Sequence, residues 1–200
     1  ALGIKGYAMK KNILVILGHP DTNSFCCSLT KAYIDSAKAS GSEVRELQLG
    51  ELKFDPILWN GYNKIQELEP DLEKSQEFIQ WSNHIVFVYP NWWGAMPALM
   101  KGFFDRVFLP GFAFKYGEGS SLPDKLLTGR TAHLMVTMDT PTWYYRWVFH
   151  RPGHNQMKRT ILEFCGIKVA KISEFAPIKG SSQEQREKWI TLAKDLGSKA

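Results

Sequence analysis

Cysteine is scarce in this 200-residue chain: there are 3, two of them adjacent at Cys26 and Cys27. No C-x-x-C pair and no zinc-ligand spacing occurs, so a structural zinc site, a dithiol redox motif and a disulfide-stapled fold are excluded. An odd, low count suits a reducing compartment, and the expected location is cytoplasmic. Long apolar runs are missing as well. None approaches the roughly 18 residues that a membrane-spanning helix needs, so no membrane insertion is expected. Internal repeats, low-complexity tracts and Lys/Arg blocks of about five or more are all absent. The charge is a dispersed +5, from 25 Lys+Arg against 20 Asp+Glu. Such a surface favours a small anionic ligand and gives no sign of nucleic-acid binding. Neither G-x-G-x-x-G nor the G-K-[ST] of a P-loop occurs, which disfavours a Rossmann dinucleotide site and a nucleoside triphosphatase.

What the chain does have is apolar and aromatic substance, 44% and 13% of its residues. That is enough for the core of one domain, read over residues 9–200. Residues 1–8 lack a secretory apolar region and precede Met9-Lys10-Lys11, so they read as an appended or disordered leader.

Short apolar runs alternate with amphipathic stretches. Asn12 to Leu17 (NILVIL) and His84 to Tyr89 (HIVFVY) are near-continuous apolar runs, as strands buried on both faces should be. Glu43 to Leu49, Thr131 to Thr137 and Ile167 to Phe175 complete five strands. Ser24 to Ser40 carries Leu29, Ala32, Tyr33 and Ala37 at helical spacing, with Gly41 as its stop. Pro97 is placed at the first position of a helix whose Leu99, Phe103, Val107 and Met100, Phe104, Phe108 form adjacent rows. His154 to Cys165 reads as a helix ended by Gly166. Ser182 with Gln185 is a capping box ahead of a last helix bearing Trp189, Leu192, Ala193 and Leu196. This alternation implies an α/β fold: a doubly wound, five-stranded parallel sheet with helices on both faces.

Ligands in such sheets bind beyond the carboxyl ends of the strands, at the point where strand order reverses. Three loops lie there, and each has an unusual composition. Gly18 to Phe25 (GHPDTNSF) brings small polar residues and His19 to a helix start, where free N–H groups suit a phosphate; plain capping by Asn23 or Ser24 is the competing reading. Pro90 to Pro97 (PNWWGAMP) sets Trp92 and Trp93 beside Gly94, which suits a flat aromatic ligand or, alternatively, packing under a neighbouring loop. Thr137 to His150 (TMDTPTWYYRWVFH) is denser in aromatics than a core needs. Tyr144 and His150 in it can donate hydrogen bonds to a reducible ring, or the segment is a lid or subunit interface.

The residues GHPDTNSF, the block YPNWWGAMPALMKGFFDRVF with its following Phe112-Ala113-Phe114, and the late Glu163-Phe164-Cys165-Gly166 together resemble the flavodoxin-fold NAD(P)H:quinone oxidoreductases, of the DT-diaphorase type and its bacterial relatives. The resemblance runs from about Lys11 to Lys171. It implies a flavodoxin-like fold and a bound flavin, FAD or alternatively FMN, with NAD(P)H as co-substrate and a quinone or similar acceptor. By it, His19, Asn23, Ser24 and Phe25 match the segment that holds the flavin's phosphates. Pro90, Asn91, Trp92, Trp93 and Gly94 match the loop along the ring, and Thr137, Met138 and Asp139 the next flavin loop. Counted on without a gap, Tyr144 and His150 fall on the family's catalytic Tyr and His, with His154 a nearby substitute. Reduction of flavin by NAD(P)H and of the acceptor by flavin in one pocket implies ping-pong kinetics. The family also implies a homodimer, in keeping with the apolar Pro97–Phe108 helix and the aromatic Trp143–Phe149 segment. Other roles for the same fold are an azo, nitro or flavin reductase, a one-electron flavodoxin carrier, and a flavin-binding ancillary subunit of a potassium-efflux antiporter.

Overall fold

Alternate residues of β1 (Asn12–Leu17) feed opposite sides of the sheet, which is why the strand reads as one apolar run. Leu14 and Ile16 enter the core on one face, and Ile13, Val15 and Leu17 the core on the other. In this computed structural model, which describes residues 11–117, 119 and 122–200, β1 is followed by α1 (Phe25–Ala39), β2 (Glu43–Gln48), α2 (Pro70–Trp81), β3 (His84–Pro90) and α3 (Ala98–Val107). A short antiparallel hairpin of β4 (Phe114–Tyr116) and β5 (Pro123–Lys125) leads into β6 (Thr131–Thr137). Then come α4 (Thr142–Trp147), α5 (Pro152–Asn155), a π-helical stretch (Gln156–Leu162), α6 (Glu163–Cys165), β7 (Lys168–Phe175) and α7 (Gln183–Ser198). The leader read at residues 1–8 lies outside the described residues.

The main sheet has the order β2-β1-β3-β6-β7, with every neighbouring pair parallel. This is the flavodoxin-like order, whose direction reverses between β1 and β3. One core lies between the sheet and α1 with α7, joined through Tyr33, Phe175 and Trp189. The other lies between the sheet and α2, α3 and the π-helical stretch, built on Phe87, Phe103 and Phe104. No helix among the described residues is long and apolar enough to cross a membrane.

Helix ends follow local chemistry. Ser24 Oγ accepts from the Cys27 N–H, and Ser182 Oγ from the Gln185 N–H at 3.1 Å. Pro97 is the residue ahead of α3 rather than its first, its ψ of 150° being extended. The helix expected from His154 begins earlier, at Pro152, and runs through the π-helical turns to Cys165.

Among the parts with no expectation from the sequence are the β4–β5 hairpin, α2 and the irregular chain between β2 and α2. The last of these is held in part by a buried cation. Arg106 on α3 is fully buried and donates Nη2 to Glu69 Oε2 and to the Glu67 carbonyl, both at 2.8 Å, and Nη1 to the Asp55 carbonyl.

Candidate functional site

Three loops leave the carboxyl ends of β1, β3 and β6 and meet above the reversal point. Between the first and the other two lies a cleft of about 190 Å³, lined by His19, Ser24, Phe25, Cys26, Pro90, Asn91, Trp92, Thr137, Met138, Asp139 and Ile178. Nine of the expected residues therefore line one cleft. A second cleft of about 490 Å³ is lined by Asn91, Trp93, Gly94, Thr140, Tyr145, Phe149 and Pro152. Asn91 lines both, so the two adjoin across the Trp92–Gly94 turn.

The first cleft is built to receive negative charge. α1 points its positive end at it, and the N–H groups of Phe25 and Cys26 find no acceptor among the described residues. His19 accepts the Asp21 N–H on Nδ1 at 2.9 Å, which places its proton on Nε2. Burial lowers its pKa despite the opposing pull of Asp21, which favours the neutral ring over the cation. Asn23 lies outside the lining; its N–H is turned back to Asp21 Oδ1 at 2.8 Å. Cys26 was not anticipated here as a wall residue. Its Sγ sits 3.2 Å from Thr137 Oγ1 and burial raises its pKa to about 12, so it is an inert thiol joining two loops. Asp139 closes the far side by accepting the Lys179 N–H at 2.7 Å, which fixes the 176–180 segment and with it Ile178.

The turn between the clefts is a tight hairpin. Trp92 and Ala95 exchange N–H···O bonds of 2.9 and 3.0 Å, and both residues between them are left-handed, Trp93 at φ 53° and Gly94 at φ 79°. A type I′ turn demands that conformation. Gly94 adopts it freely, whereas Trp93 does so at a cost of about 1 kcal/mol or more. The indole is thereby swung fully into solvent, at 104% exposure, along the edge of the second cleft. The N–H groups of Trp93, Gly94, Asp139 and Thr140 also lack acceptors among the described residues.

Tyr145 braces this turn. Its hydroxyl donates to the Gly94 carbonyl and accepts the Gly153 N–H, both at 3.0 Å, while its ring meets His154 edge-on at 5.0 Å. His154 Nε2 is in turn 2.8 Å from Glu174 Oε1, and that contact, ahead of burial, holds the Glu174 carboxyl below its ordinary pKa. Tyr144 and His150 line neither cleft. Tyr144 packs its ring against Trp143 and Phe149 at the mouth, and His150 is exposed at φ 56° in the bend between α4 and α5. Neither side chain makes a hydrogen bond to a described residue. Tyr145 was not singled out in the sequence, because nothing in its residue type marks it as the tyrosine that faces inward.

Tyr145→Phe is expected to lower stability by about 2 kcal/mol, since a buried N–H and a carbonyl lose their partner. Tyr144→Phe is expected to change it by less than about 0.5 kcal/mol. Urea unfolding of the two variants checks the pair.

Residues 11–194 match the family model described as a flavodoxin-like fold. The chain belongs to that family. Among relatives of this flavodoxin-like protein, an uncharacterised NAD(P)H oxidoreductase of Haemophilus influenzae is 28% identical over 189 residues, covering 91% of this chain and 92% of its own. The ribosyldihydronicotinamide dehydrogenase (quinone) of Pongo abelii is 28% identical over 213 residues, covering 88% and 86%. An FMN-dependent NADH-azoreductase of Bacillus anthracis, solved with FMN, shares the fold at a TM-score of 0.68 and 20% identity, covering 94% of this chain and 98% of that one.

Proposed function

We propose that this protein is a flavin-dependent NAD(P)H:quinone oxidoreductase. The observation that carries the reading is the junction of two unlike clefts at Asn91. One is walled by unpartnered N–H groups that suit a phosphate, the other by neutral, largely apolar side chains that suit planar rings. The two relatives act, by their names, on a nicotinamide and on a quinone, which agrees with that division.

A bound flavin would supply reversible two-electron chemistry, so that NAD(P)H, a proton and a quinone become NAD(P)⁺ and a hydroquinone. The residues here fit that group. Phe25 and Cys26 N–H with His19 Nε2–H would hold phosphate, and the Trp92–Gly94 turn would lie along the ring. The turn's unpartnered N–H groups would meet the ring's polar edge. Asn91, Tyr145 and Pro152 give the second cleft walls but no charge, which favours flat neutral partners and excludes water from their faces. Nicotinamide and acceptor would occupy this one cleft in turn, and the kinetics would be ping-pong, with parallel double-reciprocal lines. Tyr144 and His150, at the mouth, would deliver protons.

FAD is the finer reading of the flavin, carried by the resemblance of the His19 loop; the mass of the heat-released cofactor distinguishes it from FMN. A homodimer is supported by the apolar outer side of α3, where Ile57, Tyr62 and Leu99 border an open groove of about 820 Å³. Three free thiols, Cys26, Cys27 and Cys165, fit a cytoplasmic setting.

The decisive experiment is reconstitution. Purified protein should bind flavin with one equivalent per chain and oxidise NAD(P)H only when a quinone is supplied. Absence of flavin binding overturns the reading. In stopped-flow, Tyr144→Phe and His150→Gln are expected to keep the flavin yet slow its reduction by about 10-fold, well short of the 10²–10³ typical of an enclosed donor, because water reaches the mouth. Wild-type rates in both would remove them from the chemistry.

A further inference from the structure

The second cleft does not end at Phe149. That ring, on the cleft wall, meets Tyr144 edge-on at 5.0 Å, and Tyr144 meets Trp143 edge-on at 5.4 Å. Trp147 lies one helical turn beyond Trp143 on α4, the same side of the helix. Trp143 and Trp147 are 62% and 67% exposed. Three touching rings, with Trp147 one turn further on, thus lead as an aromatic strip from the cleft to open solvent. A head group seated in a cleft of about 490 Å³ would present any substituent to this strip at the mouth.

Resting on the proposed quinone reductase activity, we infer that the strip is a subsite for the apolar tail of the acceptor. The substrate class is then quinones bearing a hydrocarbon chain rather than bare rings. The strip is apolar and continuous with the cleft, as a tail needs. Beside it the Arg146 guanidinium is stacked 4.9 Å from the Trp147 ring centroid and covers one side of it. Edge-to-face rings along Phe149, Tyr144 and Trp143 form a ridged surface against which methylene groups pack by dispersion and loss of hydration. Exposed tryptophans that cost solubility without contributing to either core gain a role from such a ligand.

The test compares a tailless dimethoxy-methyl-benzoquinone with the same head group bearing a decyl chain, using flavin-loaded enzyme and NADH or NADPH. In the wild type, KM for the decyl compound is expected to be about tenfold lower at similar kcat, the effect of covering a few methylenes. In the Trp143→Ala/Trp147→Ala double variant the two KM values should converge, with kcat and the tailless KM unchanged. Both indoles are largely exposed, so the variant should fold. Equal KM values for the two quinones in the wild type would overturn the tail subsite while leaving the reductase standing. Failure to reduce either quinone would instead overturn the activity itself. Sedimentation velocity is the second arm: a double variant that dissociates from dimer to monomer would assign the strip to a second copy of the chain and refute the inference.

Discussion

Gly153→Ala should disable the site more than any change to an exposed aromatic. A β-carbon at position 153 would lie 2.5 Å from the Gly94 carbonyl oxygen, 3.0 Å from Ala95 Cα and 3.0 Å from the Tyr145 hydroxyl. The first two are backbone atoms of the turn between the clefts and have no rotamer to retreat into. Either α5 moves away or the turn does. Both routes break the hydrogen bonds of the Tyr145 hydroxyl, which bind exactly these two pieces together. Overpacking of this kind, with a buried N–H left unpaired, costs about 3 kcal/mol. Moving the turn by about an ångström would slow flavin reduction by roughly 100-fold, as misplacement of a reacting ring does. The midpoint of urea unfolding and stopped-flow reduction by NAD(P)H measure the two effects. Gly117→Ala is the control, because nothing among the described residues lies within 4 Å of its β-carbon and its shift should stay within about 0.5 kcal/mol. A Gly153→Ala protein as stable as that control would show that the turn and α5 are not coupled.

That junction also marks where reading the sequence runs out. β1 and β6 occupy the residues expected because a strand buried on both sides leaves an apolar run with hard ends. The loops beyond β1, β3 and β6 were marked by composition and do meet, since chain order and right-handed crossovers fix which ends face the reversal point. Which of Tyr144 and Tyr145 faces inward was not legible. On a helix successive residues diverge by about 100°, so α4 sends one tyrosine inward and its neighbour out, and only the orientation of α4 decides which. That orientation depends on His150 and Arg151, two consecutive non-glycine residues at φ 56° and 53°, a conformation no residue type there announces. Trp93 was legible as an aromatic beside the cleft, but its exposure follows from a left-handed turn position rather than from hydrophobicity. α2 escaped because its inward face is only Leu72, Ser75 and Ile79. The chain before it has no periodicity to read, because side-chain hydrogen bonds and a distant cation supply its order.

That cation carries the second large expected effect. Arg106→Met should destabilise the protein by about 3 kcal/mol, because the ion pair is broken and the Asp55 and Glu67 carbonyls lose their donor at the same time. A well-packed apolar replacement recovers part of the loss through its volume, which keeps the figure at the lower end of the range for broken buried pairs. The effect depends on pH through Glu69. Burial pushes its carboxyl upward, but the Asp55 N–H and the Arg106 guanidinium outweigh it, and the net pKa lies below the ordinary 4.5. A carboxylate whose pKa is depressed on folding contributes stability that is present above its unfolded pKa and lost as pH falls through the folded one. The gap between wild type and Arg106→Met should therefore be constant above about pH 5 and narrow as the pH falls below Glu69's usual value. It should not close, because the two carbonyls do not titrate and Arg106 still binds them. Urea unfolding at a series of pH values checks this. A gap that stays flat down to pH 3 would mean that Arg106 acts through the carbonyls alone. A gap near zero at neutral pH would mean that the chain between β2 and α2 is held by its own packing, as the contact of Phe54 with Phe103 would then have to provide.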